Sequence, residues 1–239
     1  FKQRFLQEAQ RLSQFRHPNI VRVIDVFEEN NTAYFVMDFI EGKTLKAHIK
    51  ENGGVLSEEK ALFYIGQVLE AIVEVHSKNL LHRDIKPDNI LINPEDKAIL
   101  IDFGTSRQFT DEQTITHTAM LTPGYAAPEQ YGQRIKPGAY TDIYAICSTL
   151  YHCVTGQKPL QATDRTVIGS SDDFLEAPIT INENLSEQIN SCILKGIQLN
   201  PKLRYQSALE IIQALNQGKQ TLVGAEDKKT ILDSTVLAE

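Results

Sequence analysis

Cysteine is scarce in this chain of 239 residues, which has only Cys147, Cys153 and Cys192. An odd number without C-x-x-C spacing argues against a disulfide framework and a zinc site, and it fits a reducing compartment. Long apolar runs are lacking too, since none approaches the roughly 18 residues that cross a membrane. No charged and then apolar leader opens the sequence. We therefore expect a cytoplasmic location and no membrane span in this chain.

Basic residues are outnumbered by acidic ones. The chain has 24 lysines and arginines against 31 aspartates and glutamates, a formal net charge of −7. This balance argues against binding nucleic acid or an anionic membrane through bulk charge, so no nucleic-acid partner is expected. Hydrophobic residues make up 41% and charged residues 23%, which is ordinary for a globular protein with a sizeable core. The first residue is Phe1 and not methionine, so we expect upstream sequence to be missing.

Hydrophobic spacing predicts a small strand-containing part followed by a helix-rich body. Apolar residues at steps of three and four indicate helices, and alternation indicates strands. The predicted elements are a helix over 1–15, a hairpin of strands 20–27 and 33–39 turning at Glu29-Asn30-Asn31, helices over 43–50 and 61–75, a small hairpin of strands 90–92 and 98–101, and helices over 141–154, 185–197 and 207–215. Residues 105–126 are polar and lack a period, which is typical of a functional or mobile segment.

A polar stretch interrupts the apolar pattern between Leu81 and Ile90. It reads His82-Arg83-Asp84-Ile85-Lys86-Pro87-Asp88-Asn89, and Asp102-Phe103-Gly104 begins thirteen residues after Asn89. A solvated charged loop is the simplest explanation, but it does not account for polar residues between two apolar segments. The groups suit phosphoryl transfer. One carboxylate can orient an attacking hydroxyl, an ammonium can hold the transferred group, and an amide with a second carboxylate can ligate Mg²⁺.

At these residues the sequence resembles the eukaryotic-type Ser/Thr protein kinases. The stretches HRDIKPDN and DFG match the family's catalytic and magnesium motifs, and TPGYAAPE over 122–129 matches the end of its activation segment. The continuation over 129–132 is similar to bacterial members. The resemblance implies an α+β, protein-kinase-like bilobal fold. It would have an incomplete N-lobe over 1–42 (one helix, two strands and the hinge), a helix-rich C-lobe over 43–216 and a flexible tail over 217–239.

The same resemblance implies a kinase that transfers the γ-phosphoryl group of ATP to Ser or Thr hydroxyls of proteins, with ATP and Mg²⁺ bound. Asp84 then corresponds to the catalytic base, Lys86 to the γ-phosphate contact, and Asn89 and Asp102 to the Mg²⁺ ligands. The resemblance implies further residues of the nucleotide site. Glu8 would be the partner of the strand-three lysine, and Met37 would be the gatekeeper. Asp38, Phe39 and Ile40 would form the hinge that bonds adenine, and Leu91 would lie under the adenine ring.

The resemblance also assigns structural and regulatory roles. The structural ones are a hydrophobic stack of Leu12, Val23, His82 and Phe103, a contact from Asp142 to the backbone of residues 82–83, and a buried ion pair of Glu129 with Arg204. A guanidinium at Arg83 can pair with a phosphate on the activation segment. We therefore expect phosphorylation at one or more of Thr114, Thr116 and Thr118.

The start of the chain departs from the family pattern. Only seven residues precede Glu8, too few for the Gly-rich phosphate loop and the strand-three lysine, so we expect the chain by itself to be poorly active. Two alternatives stay open, a non-catalytic pseudokinase or scaffold module and a small-molecule phosphotransferase of related fold. Intact Asp84, Asn89 and Asp102 oppose the first, and the Ala-Pro-Glu segment opposes the second. The expected partners are protein substrates with Ser/Thr acceptors, ATP, and a second copy of the chain in a homodimer for autophosphorylation.

Overall fold

The computed structural model describes residues 13–30, 32–102, 107–108, 121–132, 134–166 and 173–216. In this part of the chain the strands are β1 (Val23–Glu29), β2 (Thr32–Met37), β3 (Lys43–Thr44), β4 (Leu80–Leu81), β5 (Ile90–Ile92), β6 (Ala98–Leu100) and β7 (Arg107–Gln108). The helices described are α1 (Leu45–Glu51), α2 (Glu58–Ser77), α3 (Ala139–Thr155), α4 (Pro178–Ile181), α5 (Glu187–Gly196) and α6 (208–216). None of these helices is both long and apolar enough to cross a membrane.

The first hairpin is present as the sequence predicts, with a tighter turn. β1 and β2 pair antiparallel, and Glu29 lies opposite Thr32. The turn therefore excludes Glu29, which the sequence pattern had included in it. Asn30 adopts a φ of 50°, a left-handed conformation that asparagine tolerates better than most residues.

The base of this hairpin is attached to a second sheet. Ile20 and Val21 are buried, and the Val21 N–H donates to Leu100 O of β6 at 3.0 Å. The Leu100 N–H in turn donates to Asn19 O at 2.8 Å. Because these residues bond to β6, β1 begins at Val23 and not at Ile20 as the alternation predicts.

The second sheet has three strands and leads into the helical body. β5 lies between β3 and β6, and β5 with β6 forms the small hairpin predicted over 90–101. The helix predicted from Lys43 begins only at Leu45, because β3 pairs with β5. The Thr44 hydroxyl then accepts the Ala47 N–H at 3.1 Å and caps α1.

The helical body is built around α3, which is buried along almost its whole length. α2 and α5 pack against it. All three helices lie within a few residues of the ranges that apolar spacing predicts. The three cysteines are free, buried thiols of this region, Cys147 and Cys153 on α3 and Cys192 on α5. Gly196, the last residue of α5, lies directly against Cys147.

Within its described residues, the segment 105–126, which was predicted to lack regular structure, contains the short strand β7. β7 pairs antiparallel with β4, with Leu81 opposite Arg107. A two-residue strand has no pattern of its own and depends on the partner across the sheet. The expected phosphorylation sites Thr114, Thr116 and Thr118 and the expected tail over 217–239 lie outside the described residues. So do residues 1–12 of the helix expected over 1–15, and the described residues 13–15 form a turn and not a helix.

Candidate active site

The loop between β4 and β5 carries the polar stretch 82–89. It ends in one turn of 3₁₀ helix, Pro87–Asn89, in which the Asn89 N–H donates to Lys86 O at 2.9 Å. Proline suits the first position of such a turn because an N–H there has no partner. The strands on either side fix both ends of the loop, so its side chains are presented from a short, well-held segment.

The side chains of Lys86, Asn89 and Thr122 form a closed hydrogen-bonded group with that of Asp84. Asp84 Oδ1 accepts the Thr122 hydroxyl at 2.8 Å, and Asp84 Oδ2 accepts Lys86 Nζ at 2.6 Å and Asn89 Nδ2 at 2.9 Å. Lys86 Nζ also donates to Thr122 Oγ1 at 2.9 Å. The side chains of Asp84 and Lys86 are 15% and 19% exposed, so a reactant can reach them from one side.

The amide of Asn89 has a defined orientation. Its nitrogen donates to Asp84 O at 2.8 Å as well as to the carboxylate, while its Oδ1 receives no hydrogen bond from the described residues. The Asn89 carbonyl accepts the Ile101 N–H at 2.9 Å, which holds the residue before Asp102 beside Asn89. Amide and carboxylate oxygens are ligands that Mg²⁺ prefers, so this donor set fits that ion.

His82 links the Asp84 loop to the segment that precedes Asp102. Its Nδ1 accepts the Asp84 N–H at 3.3 Å, and its Nε2 lies 3.2 Å from Ile101 O. Complete burial lowers the pKa of His82 below its ordinary value of 6.5, against the opposing charge of Asp142. The imidazole is therefore neutral near pH 7, with the proton on Nε2 donated to Ile101.

Asp142 on α3 holds the backbone of the loop, as the resemblance implies. Its carboxylate accepts the His82 N–H at 2.9 Å, the Arg83 N–H at 2.7 Å and a hydrogen bond of 2.8 Å with His76 Nε2. Burial would raise the pKa of Asp142, but the hydrogen bond and charge of His76 and the other donors bring it below its ordinary value. An ionised Asp142 thus fixes Arg83, whose φ of 69° is unusual for a residue with a side chain.

The end of the segment that carries Thr122 is anchored by a buried ion pair. Arg204 Nη1 and Nη2 donate to Glu129 Oε1 and Oε2 at 2.8 and 3.0 Å, and both side chains are 0% exposed. The Thr141 hydroxyl donates to the same Oε1 at 2.8 Å. Gln130 Nε2 donates to Arg83 O at 2.9 Å, which ties this anchor to the Asp84 loop.

The residues expected to bond adenine lie on the connection between the β1–β2 hairpin and the three-stranded sheet. Met37 ends β2, and the Asp38 N–H donates to Arg22 O at 2.9 Å. The Asp38 carbonyl and the Ile40 N–H make no backbone hydrogen bond with the described residues. Leu91 pairs with Thr44 just beyond this connection. Glu8 and Phe103 lie outside the described residues.

Thr122 belongs to the Asp84 group, but the sequence predicted it only as the first residue of the TPGYAAPE motif. It is separated from Asp84 by 38 residues, and much of the intervening segment has no periodic pattern. The available signal was its fixed place at the head of the TPGYAAPE motif. A threonine hydroxyl at such a position is a candidate hydrogen-bond partner for the catalytic loop.

Comparisons with known proteins agree with these motifs. A family model described as the protein kinase domain matches residues 1–216. The chain is 34% identical over 231 residues to a probable serine/threonine-protein kinase of Clostridium acetobutylicum, covering 95% of this chain and 35% of that protein. It is 35% identical over 215 residues to the serine/threonine-protein kinase PrkC of Bacillus subtilis, covering 87% of this chain and 32% of PrkC. The chain thus spans about a third of the length of these curated relatives.

A solved structure has the same architecture. The PpkA-294 apo form superposes with a TM-score of 0.75 at 30% sequence identity, over 90% of this chain and 74% of that one.

Proposed function

The chain belongs to the protein kinase family, and on that premise we propose that it transfers the γ-phosphoryl group of ATP to serine and threonine hydroxyls of proteins. The protein-kinase-like α+β fold and the kinship with bacterial Ser/Thr kinases, both expected from the motifs, are confirmed. The observation that best supports the activity is the closed group of Asp84, Lys86, Asn89 and Thr122. A scaffold without catalysis would have no need to keep these four groups in mutual contact.

Each side chain of the group has a role in this proposal. The acceptor hydroxyl would donate its proton to the Asp84 carboxylate as its oxygen attacks the γ-phosphorus, and the bond from phosphorus to the ADP oxygen would break. The Lys86 ammonium would offset negative charge on the transferred phosphoryl group. The hydrogen bonds from Thr122 and Asn89 would keep the Asp84 carboxylate aimed at the acceptor. Positioning and charge neutralisation are the main contributions that a protein makes to this reaction.

Asn89 Oδ1 and the Asp102 carboxylate would hold Mg²⁺, which when bound neutralises charge on the ATP phosphates. The support is that hydrogen bonds already fix the Asn89 nitrogen toward Asp84, which leaves its oxygen for a metal. Adenine would bond to the Asp38 carbonyl and the Ile40 N–H, which make no backbone hydrogen bond with the described residues.

The rest of the nucleotide site completes this proposal. Met37 and Leu91 would flank the adenine ring, and Glu8 would position a lysine that orients the phosphates.

We also propose the wider organisation that the motifs imply. Residues 1–42 would form part of an N-lobe, residues 43–216 a C-lobe, and residues 217–239 a flexible tail. Free, buried cysteines fit a reducing cytoplasm. The substrates would be proteins with Ser or Thr acceptors, including a second copy of this chain that is phosphorylated at one or more of Thr114, Thr116 and Thr118.

The test is the substitution Asp84→Asn in the natural protein. An amide cannot accept the proton, so kcat for a Ser/Thr protein substrate should fall by about 10²- to 10⁴-fold. The affinity for ATP should change little, because Asp84 acts on the acceptor. The matched control is Asp25→Asn, which makes the same change at an exposed position of β1. Unchanged phosphorylation by Asp84→Asn would contradict the assignment.

A further inference from the structure

We infer that this chain favours protein substrates that carry an anionic side chain within a few residues of the acceptor hydroxyl. The inference rests on the proposed kinase function and adds the chemistry of the substrate to it. It is carried by five residues, one at the end of the turn 122–125 and four beside this turn. These residues, which we call the acceptor-side cluster, are Lys46, Asp88, Tyr125, His152 and Lys158.

The turn 122–125 lies next to the reacting groups. Thr122 donates to Asp84 Oδ1 at 2.8 Å, and the Tyr125 and Ala126 N–H groups donate back to Thr122 O at 3.1 and 3.0 Å. Gly124 has a φ of 89°, so the turn is tight. A charge next to Gly124 would therefore lie close to the substrate's acceptor hydroxyl, which would donate its proton to Asp84.

Lys158 covers this turn. A Cβ atom added to Gly124 would lie 2.8 Å from Lys158 Cγ and 3.0 Å from Lys158 Cδ. The residue is nevertheless exposed, and its ammonium makes no ion pair or hydrogen bond with the described residues. A lysine whose stem is packed and whose head remains in water presents its charge at a defined place. Here that place is the edge of the turn 122–125.

The carboxylate in the acceptor-side cluster is already neutralised. Asp88 stands next to Asn89 in the chain, and Lys46 Nζ lies 2.9 Å from its Oδ1. The side chain of Lys46 is 61% exposed and that of Asp88 is 42% exposed, so both face the solvent from which a substrate arrives. Their charges cancel, which leaves the charge of Lys158 in excess. This local excess contrasts with the net charge of −7 for the whole chain.

His152 joins the members of the cluster without adding charge. Its Nδ1 lies 2.6 Å from the Tyr125 hydroxyl. Burial lowers the pKa of His152, and the nearby charges of Lys46 and Lys158 lower it further against that of Asp88. A neutral imidazole near pH 7 leaves Lys158 as the unbalanced charge that a substrate meets.

The distances decide how far along a substrate this charge acts. Three extended residues span about 10 Å, which is comparable to the screening length at physiological salt, about 8 Å. A carboxylate or phosphate within three residues of the acceptor is thus attracted, and a lysine there is repelled. For an exposed pair the effect on kcat/KM should be about two- to fivefold.

The test uses the natural protein and a peptide series with one serine acceptor. One residue is varied as Glu, Gln, Lys or phosphoserine at each of the three positions on either side. At one position or more, kcat/KM should be about threefold higher for Glu than for Gln, and lower for Lys. A phosphoserine peptide that exceeds the Glu peptide more than about tenfold would identify previously phosphorylated substrates as the source of the anion, and equal values would identify acidic sequences. Both results support an anionic preference.

Two variants connect the preference to the acceptor-side cluster. Lys158→Glu should reverse the order of the Glu and Lys peptides, and Lys46→Gln should weaken the preference for Glu because Asp88 is then no longer neutralised. Lys202→Glu makes the same charge change at an exposed lysine in the turn 201–203 and should leave the order intact.

Equal kcat/KM for the Glu, Gln and Lys peptides would overturn the inference and leave the proposed function standing. An order that survives in Lys158→Glu would overturn it as well. Transfer to none of the peptides would contradict the proposed function itself. Binding of alanine-acceptor versions, measured by fluorescence anisotropy, then decides the charge preference independently, because binding needs no transfer.

Discussion

Gly196 faces Cys147 at the contact between α5 and α3, and no room is left there for a methyl group. A Cβ atom on Gly196 would overlap Cys147 Sγ and lie 2.7 Å from Cys147 Cβ. We expect Gly196→Ala to lower the free energy of unfolding by about 1–3 kcal/mol, because a buried helix contact must open to admit the atom. Urea denaturation measures the difference.

The control is the same substitution at Gly66, in the middle of α2. Nothing lies within 4 Å of a Cβ atom there, so Gly66→Ala should raise the free energy of unfolding by about 0.5–1 kcal/mol. Equal changes in the free energy of unfolding for the two substitutions would contradict the close contact between α3 and α5.

The Glu129–Arg204 pair gives a second prediction for single residues. Both side chains are fully buried, so Glu129→Ala leaves an uncompensated guanidinium and should cost about 3–5 kcal/mol of stability. Replacing both residues by leucine should cost less than the sum of the two single changes, because no charge is then left alone. Glu74→Ala, which breaks the exposed Glu74–Lys78 pair on α2, should leave the urea midpoint nearly unchanged. If the double variant loses as much stability as the two single variants together, the buried ion pair is contradicted.

Single residues of the site differ in how well the sequence predicts them. Asp84, Lys86 and Asn89 lie within six positions of one motif, and the structure brings their side chains into contact as that spacing suggests. The bond from Thr122 could not be derived in this way, because Thr122 lies 38 positions from Asp84 and belongs to a different motif. Spacing within a motif relates only residues that are close in the sequence, so it gives no information on a contact between distant residues.

At the scale of elements, one carboxylate on α3 controls the geometry of the loop between β4 and β5. Asn cannot accept two N–H groups through both of its terminal atoms, so Asp142→Asn would leave either the His82 or the Arg83 N–H without an acceptor. We expect kcat to fall about 10- to 100-fold, because a small displacement of Asp84 misaligns the acceptor. The loss of stability should be about 1–3 kcal/mol.

Two measurements separate this positioning role from a general loss of structure. Steady-state kinetics well below the melting temperature should show the fall in kcat, while the KM for ATP changes less. An Asp142→Asn protein with the natural kcat would show that the loop keeps its shape without these hydrogen bonds.

The elements themselves were predictable where their pattern is long. α2 and α3 extend over several turns of apolar spacing and lie where the sequence places them. β3 and β7 have two residues each, and only pairing with β5 and β4 makes them strands. The same pairing shortens the predicted helix over 43–50 at its start. Contacts between segments therefore decide the short elements, and local sequence decides the long ones.

For the whole molecule, three partly or fully buried histidines predict a loss of stability in mild acid. Burial lowers the pKa of His48, His82 and His152 below 6.5 in the folded chain. As the pH falls below about 6.5, the unfolded chain takes up protons that the folded chain does not, so unfolding is favoured. The free energy of unfolding should thus be lower at pH 5.5 than at pH 7.5, as measured by urea titration at both values.

His82→Gln tests one of these contributions, at the histidine that is completely buried. Glutamine does not titrate, so the difference in stability between the two pH values should shrink in this variant. A free energy of unfolding that stays constant or rises toward pH 5.5 would contradict the burial of the histidines. Asp142 acts in the same direction only in stronger acid, as the pH falls below 3.8 toward its lowered pKa.

The burial of the three cysteines has a practical consequence for studying ligands. The thiolate is the form that alkylating reagents attack, and burial raises the pKa of each of these thiols, that of Cys153 to about 12. Alkylation at pH 8 should therefore proceed only through opened molecules, and mass spectrometry should detect three added groups per denatured chain. A nucleotide that binds the folded protein lowers the population of opened molecules. The rate of alkylation, followed as ATP and Mg²⁺ are added separately and together, would then report their binding without any phosphate being transferred.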